Sequence, residues 1–141
     1  MENFKDFHDV LKENLESFEG DYDHFVDNGP DLFKLLSDML SLSYFKASER
    51  LMIGAAISYF VISYDIIPEH IYGPYGYIDD IFISTYVIKE IVNEYGYDTL
   101  DKIWKGNGKL EDVVNLCYSK SVQILESNEI EEILNYSGLK E

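Results

Sequence analysis

The stretch that decides the fold reads LMIGAAISYFVISYDIIP over residues 51–68. From Leu51 to Tyr64 it is apolar on nearly every side of a helix. It is also well short of the ~20 residues that a membrane-spanning helix needs. A helix that is hydrophobic all round and too short to span a bilayer is typical of a protein interior. The stretch therefore predicts a buried central helix.

The flanking residues predict where this helix begins and ends. It should begin near Ser48, which leaves Glu49 in the first turn, where a carboxylate opposes the positive end of the helix dipole. Pro68 disfavours helical geometry at the residue before it. The helix should therefore end near Asp65 or Ile66.

Helical spacing of apolar residues continues on both sides of the central stretch. Spacings of three and four predict further helices from Phe4 to Phe18, Pro30 to Leu40, Tyr77 to Gly96, around Leu100, from Leu110 to Leu125 and from Ile130 to Tyr136. No alternating strand pattern of useful length occurs. We therefore predict an all-α fold, a compact bundle of about six helices with a central buried helical hairpin, as a single domain over residues 1–141.

The chain is strongly acidic, with 27 Asp and Glu against 11 Lys and Arg and a formal net charge of -16. Binding to a phosphate backbone depends on clustered Lys and Arg, and here Arg50 is the single arginine. The composition therefore argues against direct nucleic-acid binding. It favours a partner protein with a basic surface, or a cation, unless the charge serves solubility alone.

Cysteine content and the N-terminal residues predict the cellular compartment. Cys117 is the single cysteine, so neither an internal disulfide nor a cysteine-based zinc site can form, and its helical position predicts a core residue. The first residues, Met1 to Asp6, lack a basic start followed by an apolar run, so they do not resemble a secretory signal. We expect a cytoplasmic protein.

Two short motifs lie between the central helix and the next one. Asp65-Ile66-Ile67-Pro68-Glu69 follows the apolar run, and Gly76-Tyr77-Ile78-Asp79-Asp80 precedes the following helix. Together, over about residues 54–88, they resemble the domain of unknown function 1232 (YkvA-like) family. In that family an apolar helix leads into an Asp-x-x-Pro-Asp turn and a Gly-Tyr-x-Asp-Asp helix start, and Glu69 stands where the family more often has Asp. The resemblance implies a helical hairpin and no particular activity.

A hairpin would bring several acidic side chains together at the facing ends of its two helices. The candidate binding residues there are Asp65, Glu69, His70, Asp79 and Asp80. Hard cations such as Mg²⁺, Mn²⁺ or Ca²⁺ prefer oxygen ligands, so Asp65, Glu69, Asp79 and Asp80 are candidate metal ligands. A structural role competes with this one, because carboxylates in the first turn of a helix accept hydrogen bonds from free backbone amides.

The loop after Pro68 is rich in tyrosine. Tyr72, Tyr75 and Tyr77 are further candidate binding residues, because exposed tyrosines are common anchors at protein interfaces. With the acidic surface they predict a binding or regulatory module that contacts another protein and requires no cofactor. One alternative is a metal-dependent hydrolase, in which a cation at the acidic turn activates water. A second is a peripheral membrane protein, although anionic lipids would repel this charge.

Overall fold

The computed structural model describes Asp9 and residues 24–43, 45–66, 78–125 and 127–137. Helices make up most of this part of the chain, and no β-strand occurs in it. The prediction of an all-α fold is therefore confirmed. The helix expected from Phe4 to Phe18 lies outside the described residues, except for Asp9, which is helical.

A short 3-10 helix, His24–Asn28, leads into the α-helices of the described part. In chain order these are α1 (Gly29–Leu40), α2 (Ala47–Ile66), α3 (Ile78–Tyr95), α4 (Asp98–Asp101), α5 (Leu110–Ile124) and α6 (Ser127–Ser137). This set agrees with the expected bundle of about six helices.

Proline and glycine residues set several of these limits. Pro30 is the second residue of α1, where its missing N–H removes no hydrogen bond of the helix. Helix α2 is described as far as Ile66, and Pro68 lies outside the described residues. Helix α3 ends at Tyr95 because Gly96 adopts a φ of 79°, a left-handed conformation that glycine adopts without strain.

Glu49 stabilises the start of α2. Its Oε1 accepts a 2.7 Å hydrogen bond from the backbone N–H of Lys46, the residue before the helix, as in a capping box. The same atom accepts a 2.7 Å hydrogen bond from the hydroxyl of Tyr95, whose ring packs edge-on against Phe45. Burial raises the pKa of Glu49, but the hydrogen bonds from Tyr95 and Lys46 and the charge of Lys46 outweigh it. The pKa of Glu49 therefore lies below its ordinary value.

Helices α2 and α3 form an antiparallel hairpin. Glu49 at the start of α2 meets Tyr95 at the end of α3. Further along α2, the hydroxyl of Tyr59 donates a 3.4 Å hydrogen bond to Oδ2 of Asp79, in the first turn of α3. Early residues of one helix thus meet late residues of the other, which is the arrangement of antiparallel neighbours.

Helix α3 lies at the centre of the core and packs against α1, α2 and α5. Its fully buried apolar residues are Ile81, Phe82, Ile83, Val87, Ile88 and Ile91. Buried residues of the other helices continue the same cluster, from Phe25 to Ile133.

The first part of helix α2, residues 47–59, is less buried than the sequence predicts. In residues 47–59, where its side chains are described, Ile53 and Ala56 are fully buried, whereas Leu51 is 76% exposed and Ser58 is also exposed. An apolar helix is buried only where neighbouring helices cover it, and here they cover one face. No helix in the described part of the chain is long and apolar enough to span a bilayer.

Arg50 joins the start of α2 to the end of α1. Its guanidinium donates hydrogen bonds of 2.8 Å to the carbonyl oxygen of Leu42 and 3.0 Å to that of Leu40. Carbonyl groups at the end of a helix have no partner within the helix, so this contact satisfies that of Leu40 and a second one just beyond the helix, that of Leu42. The single arginine of the chain is therefore engaged within the fold.

Candidate functional site

The structure describes only part of the acidic turn predicted from the sequence. Asp79 and Asp80 lie in the first turn of α3, and Asp65 lies in the last turn of α2, although its side chain is not described. The remaining candidates, Glu69, His70, Tyr72, Tyr75 and Tyr77, lie outside the described residues. The binding role of these eight residues stays a prediction.

Asp79 is half-buried beside Tyr59 of α2. Burial raises the pKa of its carboxyl group, the hydrogen bond from Tyr59 lowers it, and the negative charge of Glu129 on α6 raises it again. The net pKa of Asp79 lies above its ordinary value. Charge at this position is therefore disfavoured by its surroundings, although the helix N-terminus attracts a carboxylate.

Asp80 differs from its neighbour because it lies inside the core, where it is 1% exposed. Its backbone carbonyl oxygen accepts a 2.7 Å hydrogen bond from the hydroxyl of Ser84. The two consecutive carboxyl groups thus occupy different environments, one in the interior and one at a half-buried helix–helix contact.

Metal binding was one hypothesis for these residues. Among the described side chains, no three histidine, cysteine or carboxylate groups lie close enough together to hold a metal ion. A site that also used Asp65 and Glu69 would extend beyond those side chains. A Mg²⁺, Mn²⁺ or Ca²⁺ site at the turn therefore remains a prediction.

A second feature lies between α3 and α5, where a surface cleft encloses about 420 Å³. Its principal side chains are three tyrosines, two glutamates and a lysine, namely Tyr86, Tyr97, Tyr118, Glu90, Glu111 and Lys89. We call this feature the tyrosine cleft. Binding sites in proteins are typically concave and combine aromatic surface with a few polar groups, as this cleft does.

Phe82 supports two rings of the tyrosine cleft from the core. It is 1% exposed, and its ring centroid lies 6.1 Å from that of Tyr86 and 6.0 Å from that of Tyr118. The ring of Tyr118 is nearly parallel to it, at 24°. Because Phe82 is held by core packing, these contacts support one side of each tyrosine ring.

Lys89 supplies the positive charge of the cleft. Its Nζ lies 5.1 Å from the ring centroid of Tyr118, within the distance of a cation–π interaction. The same ammonium donates a 2.9 Å hydrogen bond to Oδ1 of Asn115 on α5. The face of Tyr118 thus already holds one cation, which comes from the chain itself.

Tyr97 lies near negatively charged residues of the cleft and its surroundings. Burial raises the pKa of its phenol, and the charges of Glu111 and then Asp101 raise it further. The hydroxyl therefore stays protonated at neutral pH and can donate a hydrogen bond, while the nearby carboxylates favour positive charge.

Two helical patterns in the sequence mark the residues of the tyrosine cleft. Tyr86, Lys89 and Asn93 recur at helical spacing on α3, and Glu111, Asn115 and Tyr118 do so on α5. Each set marks one face of a helix that is polar and aromatic at once. Only the packing of the two helices shows that these faces meet.

Cys117 is not part of a reactive site. It is fully buried, and its Sγ lies 3.7 Å from the carbonyl oxygen of Phe25. Burial raises the pKa of Cys117 to about 12, although a hydrogen bond with Asn28 lowers it. The thiol is therefore protonated at neutral pH and is a poor nucleophile. Its predicted place in the core is confirmed.

Comparison with known proteins places the chain in a family. Residues 49–86, from Glu49 to Tyr86, match the model of the family described as "Protein of unknown function (DUF1232)". Over 111 residues the chain is 33% identical to a Methanothermobacter thermautotrophicus protein named "Uncharacterized protein ORF9", covering 79% of this chain and 76% of that protein. No solved structure matches the chain. The family that the two motifs resemble is the one whose model matches. The chain belongs to the DUF1232 family.

Proposed function

We propose that this protein is a small acidic binding module of the cytoplasm that takes up a basic segment of a partner protein. The observation that carries this proposal is the tyrosine cleft, in which Phe82 packs against two aromatic rings and two carboxylates share the lining. Tyrosine combines a large apolar ring with a hydroxyl, so it binds well at sites that are partly wet. A fixed ring also loses little conformational entropy on binding.

The charge of the chain supports a basic partner. The net charge of -16 attracts positive surfaces over a distance of about a Debye length, roughly 8 to 10 Å at physiological salt. The single arginine, Arg50, donates its hydrogen bonds to backbone carbonyl groups near the end of α1. Electrostatic attraction of this kind raises the association rate and weakens as salt increases.

A capture experiment tests the proposal. The full chain is immobilised, native lysate is passed over it at low and at moderate salt, and each retained protein is purified and titrated against the chain by calorimetry. We expect a protein with a basic segment that binds at defined stoichiometry, with an affinity that falls as salt rises. The proposal fails if no retained protein binds the chain when both are pure. Flotation of the chain on neutral liposomes would instead favour the peripheral-membrane alternative.

A further inference from the structure

We propose that the tyrosine cleft binds one arginine side chain of the partner, with the guanidinium against a tyrosine ring and paired with Glu111. This inference rests on the proposed function and specifies its central contact. The volume of about 420 Å³ is near the lower end of the roughly 300 to 1,000 Å³ found for ligand pockets. It suits a single long side chain rather than a helix or a strand.

The charges around the cleft favour a cation. Among the side chains that line it, Glu90 and Glu111 are negative and Lys89 is positive. Asp101, outside the lining, also acts on Tyr97. The Tyr97 phenol is half-buried beside two of these carboxylates. A partner cation would neutralise this excess negative charge, whereas an anion would be repelled by it.

The aromatic rings favour the same class of ligand. Lys89 already places its ammonium 5.1 Å from the centroid of Tyr118, which shows that a cation is accepted at a ring of this cleft. The rings of Tyr86 and Tyr97 line the cleft as well. Cation–π attraction at such partly exposed rings is worth roughly 0.5 to 1 kcal/mol, equivalent to about a two- to fivefold change in affinity.

Arginine fits this arrangement better than lysine does. A guanidinium group is planar, stacks on an aromatic ring, and donates two parallel hydrogen bonds to one carboxylate. Glu111 beside the tyrosine rings offers such an acceptor. An ammonium group can use the ring or the carboxylate, but it lacks the planar two-pronged geometry.

Lys89 should oppose this binding. Its ammonium repels a second cation and lies over Tyr118, where Asn115 holds it. Removing the charge of Lys89 should therefore strengthen binding of a partner arginine. If only the net charge of the chain mattered, removing an exposed lysine outside the cleft, such as Lys105, would strengthen binding by the same amount.

The test uses a fluorescein-labelled peptide of three Gly-Arg repeats and two matched peptides with lysine or citrulline in place of arginine. Citrulline keeps the shape of arginine and lacks its charge. Binding to the full chain is measured by fluorescence anisotropy at moderate salt. We expect the arginine peptide to bind about threefold or more tightly than the lysine peptide, and the citrulline peptide to bind far more weakly.

Matched variants locate the binding site. Glu111→Gln should weaken the arginine peptide about fivefold, whereas Glu132→Gln, an exposed residue of α6 outside the cleft, should change it less than about twofold. Lys89→Met should strengthen it about threefold, and Lys105→Met should not. If Glu111→Gln does not unfold as cooperatively as the parent, Glu90→Gln is used in its place.

Two failures are distinguishable. In the first, the arginine peptide binds, but each cleft variant has the same affinity for it as its control outside the cleft. The cleft is then not the site and this inference is overturned, while the acidic module stands. If neither basic peptide binds, the basic partner itself is refuted, and the proposed function is lost with the inference.

Discussion

The hydroxyl of Tyr95, the last residue of α3, donates a 2.7 Å hydrogen bond to Oε1 of Glu49, near the start of α2. The same oxygen accepts the backbone N–H of Lys46. One buried carboxylate thus caps a helix and joins the open end of the hairpin. Glu49 is also the first residue of the segment that matches the family model, whereas Tyr95 lies beyond the last.

Removing the Tyr95 hydroxyl should weaken the fold. A hydrogen bond to a charged acceptor is worth about 1.5 to 3 kcal/mol, so we expect Tyr95→Phe to lower the free energy of unfolding by about 1 to 2 kcal/mol at this partly exposed contact. Urea unfolding measures the change. Tyr97→Phe is the control, because burial and nearby charges, and no hydrogen bond, shift the pKa of the Tyr97 phenol, and it should cost less than about 0.5 kcal/mol. Equal losses in the two variants would contradict this role of Tyr95.

The lowered pKa of Glu49 predicts how stability depends on pH. A carboxyl group whose pKa is lower in the folded state stabilises the fold above its unfolded pKa, near 4.5, and loses that contribution as pH falls through the folded value. The stability difference between the parent and Glu49→Gln should therefore be largest near neutral pH and shrink below about pH 4.5. A difference that is constant from neutral pH to pH 3 would show that the charge of Glu49 contributes nothing.

The pH dependence of stability that Asp79 contributes should have the opposite sign. Its raised pKa means that the protonated carboxyl favours folding, so stability falls as pH rises from the ordinary value of 3.8 through the raised one. We expect Asp79→Asn to raise the urea midpoint at neutral pH. The gain should vanish below about pH 3.8, where the carboxyl is protonated in both states. A variant that is less stable than its parent at neutral pH would indicate that helix capping by the Asp79 charge outweighs its burial.

The same Asp79 variant tests the predicted cation site. An ion that binds the folded chain at 100 times its dissociation constant adds about 2.7 kcal/mol to stability. If the turn holds no cation, Mg²⁺, Mn²⁺ and Ca²⁺ should leave the melting temperatures of parent and Asp79→Asn unchanged relative to chelator. A shift in the parent that the variant abolishes would favour the metal-dependent alternative.

Two buried serines should respond differently to the loss of their hydroxyls. Ser84 donates a 2.7 Å hydrogen bond to the carbonyl oxygen of Asp80, whereas Oγ of Ser121 is buried with no partner among the described residues. Removing an unsatisfied buried hydroxyl relieves its desolvation penalty. We expect Ser121→Ala to be neutral or stabilising and Ser84→Ala to cost about 0.5 to 1.5 kcal/mol, both by urea unfolding. Equal losses would refute the distinction.

Local sequence signals predicted the helices well. Gly96 acts on the backbone of its immediate neighbours, so the end of α3 follows from sequence. The burial of α2 did not follow, because the exposure of Leu51 depends on which neighbouring helices cover that face. Hydrophobic spacing identifies a helix that can be buried, and tertiary packing decides how much of it is.

For the candidate sites too, local sequence signals predicted some features, and tertiary packing decides the others. The place of Asp79 and Asp80 in the first turn of α3 was predictable from the motif that precedes the helix. Their different environments were not, since burial of Asp80 depends on how α3 enters the core. The tyrosine cleft depends on the register between α3 and α5, which sets Tyr86 and Tyr118 over the same buried Phe82. No local pattern specifies that register.

The central claim is that the tyrosine cleft is the binding surface. An NMR titration of the full chain with ¹³C-labelled tyrosine rings tests it most directly. The arginine peptide is added at moderate salt. We expect the ring signals of Tyr86, Tyr97 and Tyr118 to shift together and saturate with one affinity. Those of Tyr59 and Tyr95, on the α2–α3 contact, should stay in place. Binding that saturates without shifting the three cleft tyrosines would contradict it.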